Sequence, residues 1–206
     1  MRIDSAFGPL LEGFDLAALE RDGAVIYGLF PDFRIGYVND AYERFAVANG
    51  GARVVVDWEL GANALAAVSG KIRAFYEEAF RRVLAQSQPW EQTYHCHSPD
   101  RYRTYRMRVL PLAGRGGLLV VHSNVADLPY PRASGGAVDD ARYRDPNGRV
   151  TQCAHCRRVL RVAPPSGWEW VASFVESTPA NAASSLCDVC ADYYYPLTAG
   201  PAPLPP

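Results

Sequence analysis

No stretch of this sequence approaches the roughly 20 consecutive apolar residues that a membrane-spanning helix needs. Neither sign of charge prevails, with 21 Lys and Arg against 22 Asp and Glu and a formal net charge of −1. Global electrostatics therefore give no case for a nucleic-acid or acidic-membrane partner. The opening Met-Arg-Ile-Asp-Ser carries no apolar signal segment, which argues against an oxidising compartment and against structural disulfides. The Gly-rich phosphate loop, the His-Glu-x-x-His helix and the Gly-x-Ser-x-Gly elbow are all missing. A soluble, reduced, cytoplasmic and non-enzymatic protein is the expectation.

What the chain does have is a pair of Cys-x-x-Cys motifs, Cys153/Cys156 and Cys187/Cys190. The two-residue spacing lets two thiolates converge on one ion, and a second pair completes a tetrahedral shell of sulfur. A structural zinc on these four residues is the sharpest chemical reading. The rival is a rubredoxin-like iron site, since tetrathiolate coordination suits iron as well. Rubredoxins carry Gly after their pairs, whereas Arg157 and Ala191 follow here. The same two residues exclude c-type haem attachment, which needs His at that place. A thioredoxin-like motif needs one pair, not two. His155, inside the first pair, is read as a surface or outer residue, and Cys96 as a free thiol. Four filled thiolate positions leave no open site for water activation.

At 206 residues and 49% apolar content, the chain can hold one medium domain and one small one. Residues 1–23 read as a lead-in helix carrying Leu11, Phe14, Leu16 and Leu19, and 24–127 as a mixed α/β domain. Residues 128–149 form a linker, since Pro-Tyr-Pro-Arg-Ala-Ser-Gly-Gly and Asp-Pro-Asn-Gly are turn chemistry. The four-cysteine module covers 150–196, and a proline-rich tail covers 197–206.

Within the larger domain, 24–30 and 34–38 read as strands around the Pro31-Asp32 turn. Asn39 or Asp40 then caps a helix that buries Tyr42, Phe45 and Ala46, with Glu43 placed for a capping box with Asp40. Asn49-Gly50-Gly51 ends that helix. After Ser69, the residues Ile72, Phe75, Tyr76, Ala79, Phe80, Val83 and Leu84 form one apolar stripe. Glu77/Arg81 and Glu78/Arg82 stand at i,i+4 on its opposite face, and Ser87 to Pro89 stop it. Three strands follow: Trp90 to His97, a second in which Tyr105, Met107 and Val109 point inward, and Leu118 to Val125. Ser98-Pro99-Asp100 turns the first into the second.

This order, with Phe33-Arg-Ile-Gly-Tyr-Val-Asn-Asp-Ala-Tyr42 and Tyr94-His-Cys-His-Ser-Pro99, resembles the PAS domains of bacterial sensory and signalling proteins. The segment with Cys-Ala-His-Cys-Arg-Arg-Val and Leu-Cys-Asp-Val-Cys is similar to the Cys-rich, zinc-ribbon-like module attached to some of them. The resemblance implies an α+β fold with a five-stranded antiparallel sheet, helices packed on one face, and a small metal-stapled C-terminal module. It also implies sensing or dimerisation, with a ligand between helices and sheet. No kinase, cyclase or receiver domain follows, so output would pass through a signalling partner, self-association or the module itself. A homodimer is expected, with Leu16 and Leu19 on its dimer element. The flavin subclass needs an Asn-Cys-Arg motif that is missing, and the long helix lacks the His expected of haem sensors. Neither flavin nor haem is expected.

Several residues invite chemistry and have plainer readings. Tyr42, Phe45, Tyr76, Phe80 and Met107 can line a pocket for a small apolar ligand or simply fill the core. His95 and His97 share one strand face and Cys96 the other, a hairpin arrangement more than a metal site. His122 reads as a satisfied core histidine. Arg101, Arg103, Arg106 and Arg108 form a basic hairpin that can bind an anion, although alternate charge on a strand is more often a solvated face or paired edge. Trp168, Trp170, Phe174 and Tyr193 to Tyr195 are a heavy aromatic load for the small module, suited to packing on the PAS domain or a partner. Arg157, Arg158 and Arg161 raise nucleic-acid binding as an alternative function, countered by the even balance of charges beyond residue 128.

Overall fold

The five strands expected between residues 24 and 125 form one sheet, joined by a sixth from the N-terminus. The computed structural model describes residues 2–48, 59–68, 70–96, 101–129 and 139–194. The helix stop at Asn49-Gly50-Gly51, Ser69, the turn after His97, most of the linker's Pro/Gly run and the proline-rich tail lie outside them. The chain divides into two compact units, Met1–Tyr94 with Thr104–Asp127, and His95–Arg103 with Leu128–Pro206.

The strands of the six-stranded sheet are β1 (Arg2–Ile3), β2 (Val25–Leu29), β3 (Ile35–Val38), β4 (Trp90–His95), β5 (Arg101–Pro111) and β6 (Leu118–Pro129). Their order across the sheet is β1-β3-β2-β6-β5-β4. The helices are α1 (Leu16–Arg21), α2 (Asp40–Ala48) and α3 (Gly70–Gln86). Alternation along β6 shows how both faces become buried. Leu118 and Val120 join a core with Tyr42 of α2 and Ala79, Phe80 and Val83 of α3. Leu119, between them, joins a second cluster with Phe7, Leu11, Ile26, Tyr37 and Leu112. Period-2 geometry makes this split unavoidable once both faces are covered.

The resemblance implied helices on one face only; here the N-terminal segment covers the other. The expected lead-in helix is two pieces, a 3₁₀ turn at Gly8–Leu11 and α1, whose cap Asp15 accepts from the Ala18 amide at 3.0 Å. Leu16 and Leu19, both half-buried, pack against the outer cluster of their own sheet. Phe7, fully buried, sits in a notch that glycine makes: a Cβ at Gly28 or Gly36 would overlap its ring. A register shift between Gly28 and Leu29 inserts one extra residue in β3. That bulge sends Ile35 back to the helix side while Tyr37 faces the outer cluster.

Asn39 ties these parts together. It is 1% exposed, and its side-chain oxygen accepts from the Ile26 amide (3.0 Å) and the Tyr42 amide (3.1 Å). Its amide nitrogen donates to the carbonyls of Ala24 (2.9 Å) and Leu19 (3.1 Å). Asn39, not Asp40, is therefore the cap of α2. Glu43 pairs with Arg2 at 2.5 Å instead of closing a capping box. On α3, Glu77 and Arg81 pair at 2.7 Å. Arg106 and Arg108 share Glu91 on the neighbouring strand at 3.3 and 3.4 Å, which is the paired-edge reading of the basic hairpin.

The second unit is small. Strands β7 (Thr151–Cys153), β8 (Val159–Arg161), β9 (Gly167–Glu169) and β10 (Ala183–Ser185) lie in the order β10-β7-β8-β9, β10 parallel to β7. Helices α4 (Ala172–Glu176) and α5 (Asp188–Tyr194) complete it. Its apolar cluster is Tyr143, Val150, Val159, Val171 and Phe174. Among the described residues no helix is long and apolar enough to cross a membrane.

Phe7→Ala removes a ring from a site that cannot collapse around it. The expected loss is about 3–5 kcal/mol of first-unit stability, read as a lower urea midpoint. A midpoint within error of the parent would show that the outer cluster does not hold the sheet.

Candidate metal centre

The four paired cysteines come together. Cys153, Cys156, Cys187 and Cys190 are all buried, and their sulfur atoms lie within 4.8 Å of one another. None is in a disulfide, and Cys156 Sγ is 3.6 Å from Cys187 Sγ. A tetrahedral ion with sulfur bonds of about 2.3 Å sets sulfur–sulfur separations near 3.8 Å. Four soft donors at this spacing fit a tetrathiolate metal.

Local backbone chemistry builds each half. Cys153 ends β7, and the chain reverses so that the Arg157 amide donates to Cys153 O (3.1 Å) and the Cys153 amide to Arg158 O (2.7 Å). The reversal places Arg157 at φ 63°. That left-handed conformation costs a non-glycine residue roughly 1 kcal/mol. The second pair differs. Cys187 stands just before α5 and Cys190 lies in its first turn, with the Ala191 amide bonded to Cys187 O at 2.8 Å. One pair thus comes from a hairpin turn and the other from the start of a helix.

The thiols titrate as a group. Cys153 is driven below the ordinary thiol range by the Cys156 thiol hydrogen-bonded to it, and Cys156 is driven above that range by the same contact. Four thiolates at this distance repel strongly without a cation, so metal binding and loss of the thiol protons are one event.

His155 is not among the residues that meet at the sulfur site. Its Nδ1 is 2.7 Å from the Tyr194 hydroxyl, edge to face at 5.0 Å between rings, and burial lowers its pKa to about 4. It supports the loop between the cysteines and the end of α5 as an outer contact. Cys96 is half-buried outside the sulfur group, its thiol pushed up by burial. His95 leans on Tyr102 at 5.7 Å, and His97 lies outside the described residues. Of the aromatic load, Phe174 and Tyr194 are buried and Trp168 and Trp170 half-buried. Tyr195 is not among the described residues.

In the first unit the five candidate pocket residues take packing positions. Tyr42, Phe80 and Met107 are in the core cluster and Tyr76 packs against it. Phe45 lies edge-on to Tyr105 at 5.9 Å. The polar feature among them is His122, whose ring connects three strands. Nδ1 is 2.8 Å from the Tyr94 hydroxyl and Nε2 3.1 Å from the Tyr27 hydroxyl, with Tyr27 stacked at 5.4 Å. One tyrosine donates and the other accepts, as neutral imidazole requires. Neither ring nitrogen keeps a free lone pair for a haem iron. Burial lowers the His122 pKa to about 4. Sequence alone marked His122 as satisfied but not its partners, because Tyr27 and Tyr94 are distant along the chain.

No family model matches this chain, and no curated protein matches it. Among solved structures it is similar to an RNA-binding light-oxygen-voltage receptor (20% identity, TM-score 0.38, 60% of this chain and 35% of that one). It is also similar to the phage VqmA-DPO complex (14% identity, TM-score 0.38, 54% of this chain and 51% of that one). The chain thus spans about a third of the first structure and half of the second.

Cys153→Ser or Cys187→Ser leaves three sulfurs around an ion that contributes on the order of 10 kcal/mol to small modules. The expected outcome is loss of bound metal and proteolysis of the second unit, with the first unit still resistant. His155→Ala keeps the full metal complement. Elemental analysis with limited proteolysis checks both.

For His122 the folded pKa, about 4, lies below the unfolded 6.5. Between those values the unfolded chain binds the extra proton, so stability falls as pH drops from 6.5 towards 4, by up to about 3 kcal/mol. His122→Asn should flatten this slope in urea melts across the range. An unchanged slope would assign it to other groups.

Proposed function

We propose that this chain is a non-enzymatic sensory or adaptor protein of bacterial signalling. Its first unit is a PAS-like module for ligand sensing or dimerisation, and its second is a partner-docking module stapled by a structural metal. The observation that carries this reading is the saturation of the sulfur site. All four donors are buried cysteines that lie together, which leaves no coordination position for a water or substrate. The metal then serves the fold, and the second unit, with its five-residue apolar cluster, is of a size that needs such a staple.

Support for the sensory half comes from the antiparallel sheet with α2 and α3 over one face, and from the aromatic and histidine groups gathered there. Leu16 and Leu19, half-buried against the outer cluster, keep part of their surface for self-association. Exposed Phe14, Val47 and Val125 add apolar side chains to that surface. Zinc is the favoured ion, with iron as the rival.

Native mass spectrometry of protein purified under reducing conditions tests the reading. One zinc per chain, a dimer mass and a colourless solution are expected. A red solution would assign iron and a redox role. Protein that is folded in both units yet free of any metal would remove the staple from the proposal.

A further inference from the structure

We propose that a groove beside the sulfur site binds a small phosphate-type oxyanion through Arg157. The groove measures about 250 Å³, and its lining includes Gln152, Cys153, His155, Arg157, Thr178 and Ser184. That is just below the roughly 300–1,000 Å³ of sites for drug-sized molecules. Its lining holds one guanidinium, no carboxylate and one cysteine of the sulfur site.

A relay holds that guanidinium in place. Gln152, only 8% exposed, donates through its amide nitrogen to the carbonyls of Phe174 (3.0 Å) and Arg157 (3.2 Å). Both partners accept, so the amide orientation is settled and Oε1 faces Thr178. The Thr178 hydroxyl donates to that oxygen at 3.0 Å. Its own oxygen is then left to accept from Arg157 Nη2 at 3.1 Å. A guanidinium has five N–H donors, and this bond engages one. No described carboxylate pairs with Arg157. The result is a planar donor fork fixed on one side and open on the other, the geometry that suits an oxyanion.

The backbone supplies a separate observation. Arg157 occupies the left-handed position that closes the hairpin turn, where glycine would sit without strain. A non-glycine residue kept at such a backbone position points to a use for its side chain. Ser184 on the exposed edge strand adds a hydroxyl across the groove. This inference stands apart from the sensory reading and from the identity of the metal.

The test titrates the full, metal-loaded chain with inorganic phosphate and with ribose 5-phosphate by calorimetry, using ribose as the uncharged control. Binding of either anion, with none of ribose, is expected. Tighter binding of ribose 5-phosphate would identify an ester as the ligand, and equal binding would identify the phosphate group alone. Arg157→Gly should keep the metal and match or exceed the parent in thermal stability, while anion affinity falls at least tenfold. Arg157→Lys, which keeps the charge and loses the fork, should fall in between.

No binding of either anion at millimolar concentration would overturn the proposal, as would unchanged affinity in Arg157→Gly. If Arg157→Gly sheds the metal, Thr178→Val decides the matter, since it frees the guanidinium without touching the hairpin turn. Weakened binding there supports the proposal, and parental binding overturns it.

Discussion

Convergence of four buried sulfurs is the constraint on which the second unit depends. A module whose apolar cluster, among the described residues, is five side chains is of the size at which small scaffolds take a staple to offset the ordering of their backbone. Its strands are three residues each, short enough to need an anchor where two of them end. Cys153 closes β7 and Cys187 follows β10, so the sulfur site draws the parallel pair of strands and the start of α5 to one point. The same geometry dictates the hairpin turn and, through it, the strained backbone at Arg157.

The first unit solves a different problem with different means. Its central strands are buried on both faces, which requires cover on both. The amphipathic α3 supplies one cover, and a chain segment with no long helix supplies the other, through Phe7 seated against Gly28 and Gly36. Asn39 makes the arrangement specific. With four hydrogen bonds to three neighbouring segments, it joins α1, β2 and α2 by partners that an apolar residue could not supply. Removing such a group leaves buried donors and acceptors unmatched.

The two units also treat titratable groups in opposite ways. His122 is kept neutral by burial, with hydroxyl partners on both nitrogens. At the sulfur site, by contrast, negative charge is concentrated and demands a cation. Arg157 lies next to that concentration, yet its hydrogen bond runs to Thr178. One side chain can therefore belong to the turn by its backbone and to the groove by its guanidinium.

Short-range order was readable from the chain: the period of α3, the alternation in β5, and the cysteine spacing that lets each pair address one ion. These are properties of neighbours along the backbone, where geometry repeats every two or 3.6 residues. The destination of the N-terminal segment was not readable, because an apolar stripe says that a face is buried and not against what. Hence Leu16 and Leu19 suited a dimer contact as well as their own sheet. For the same reason Asp40 and Glu43 matched a capping pattern that Asn39 and Arg2 overrode. The source of the second cysteine pair, a helix start and not a hairpin, and the meeting of Gln152, Thr178 and Arg157 were likewise decided only by folding. Each depends on contacts between distant segments, which tertiary packing alone selects.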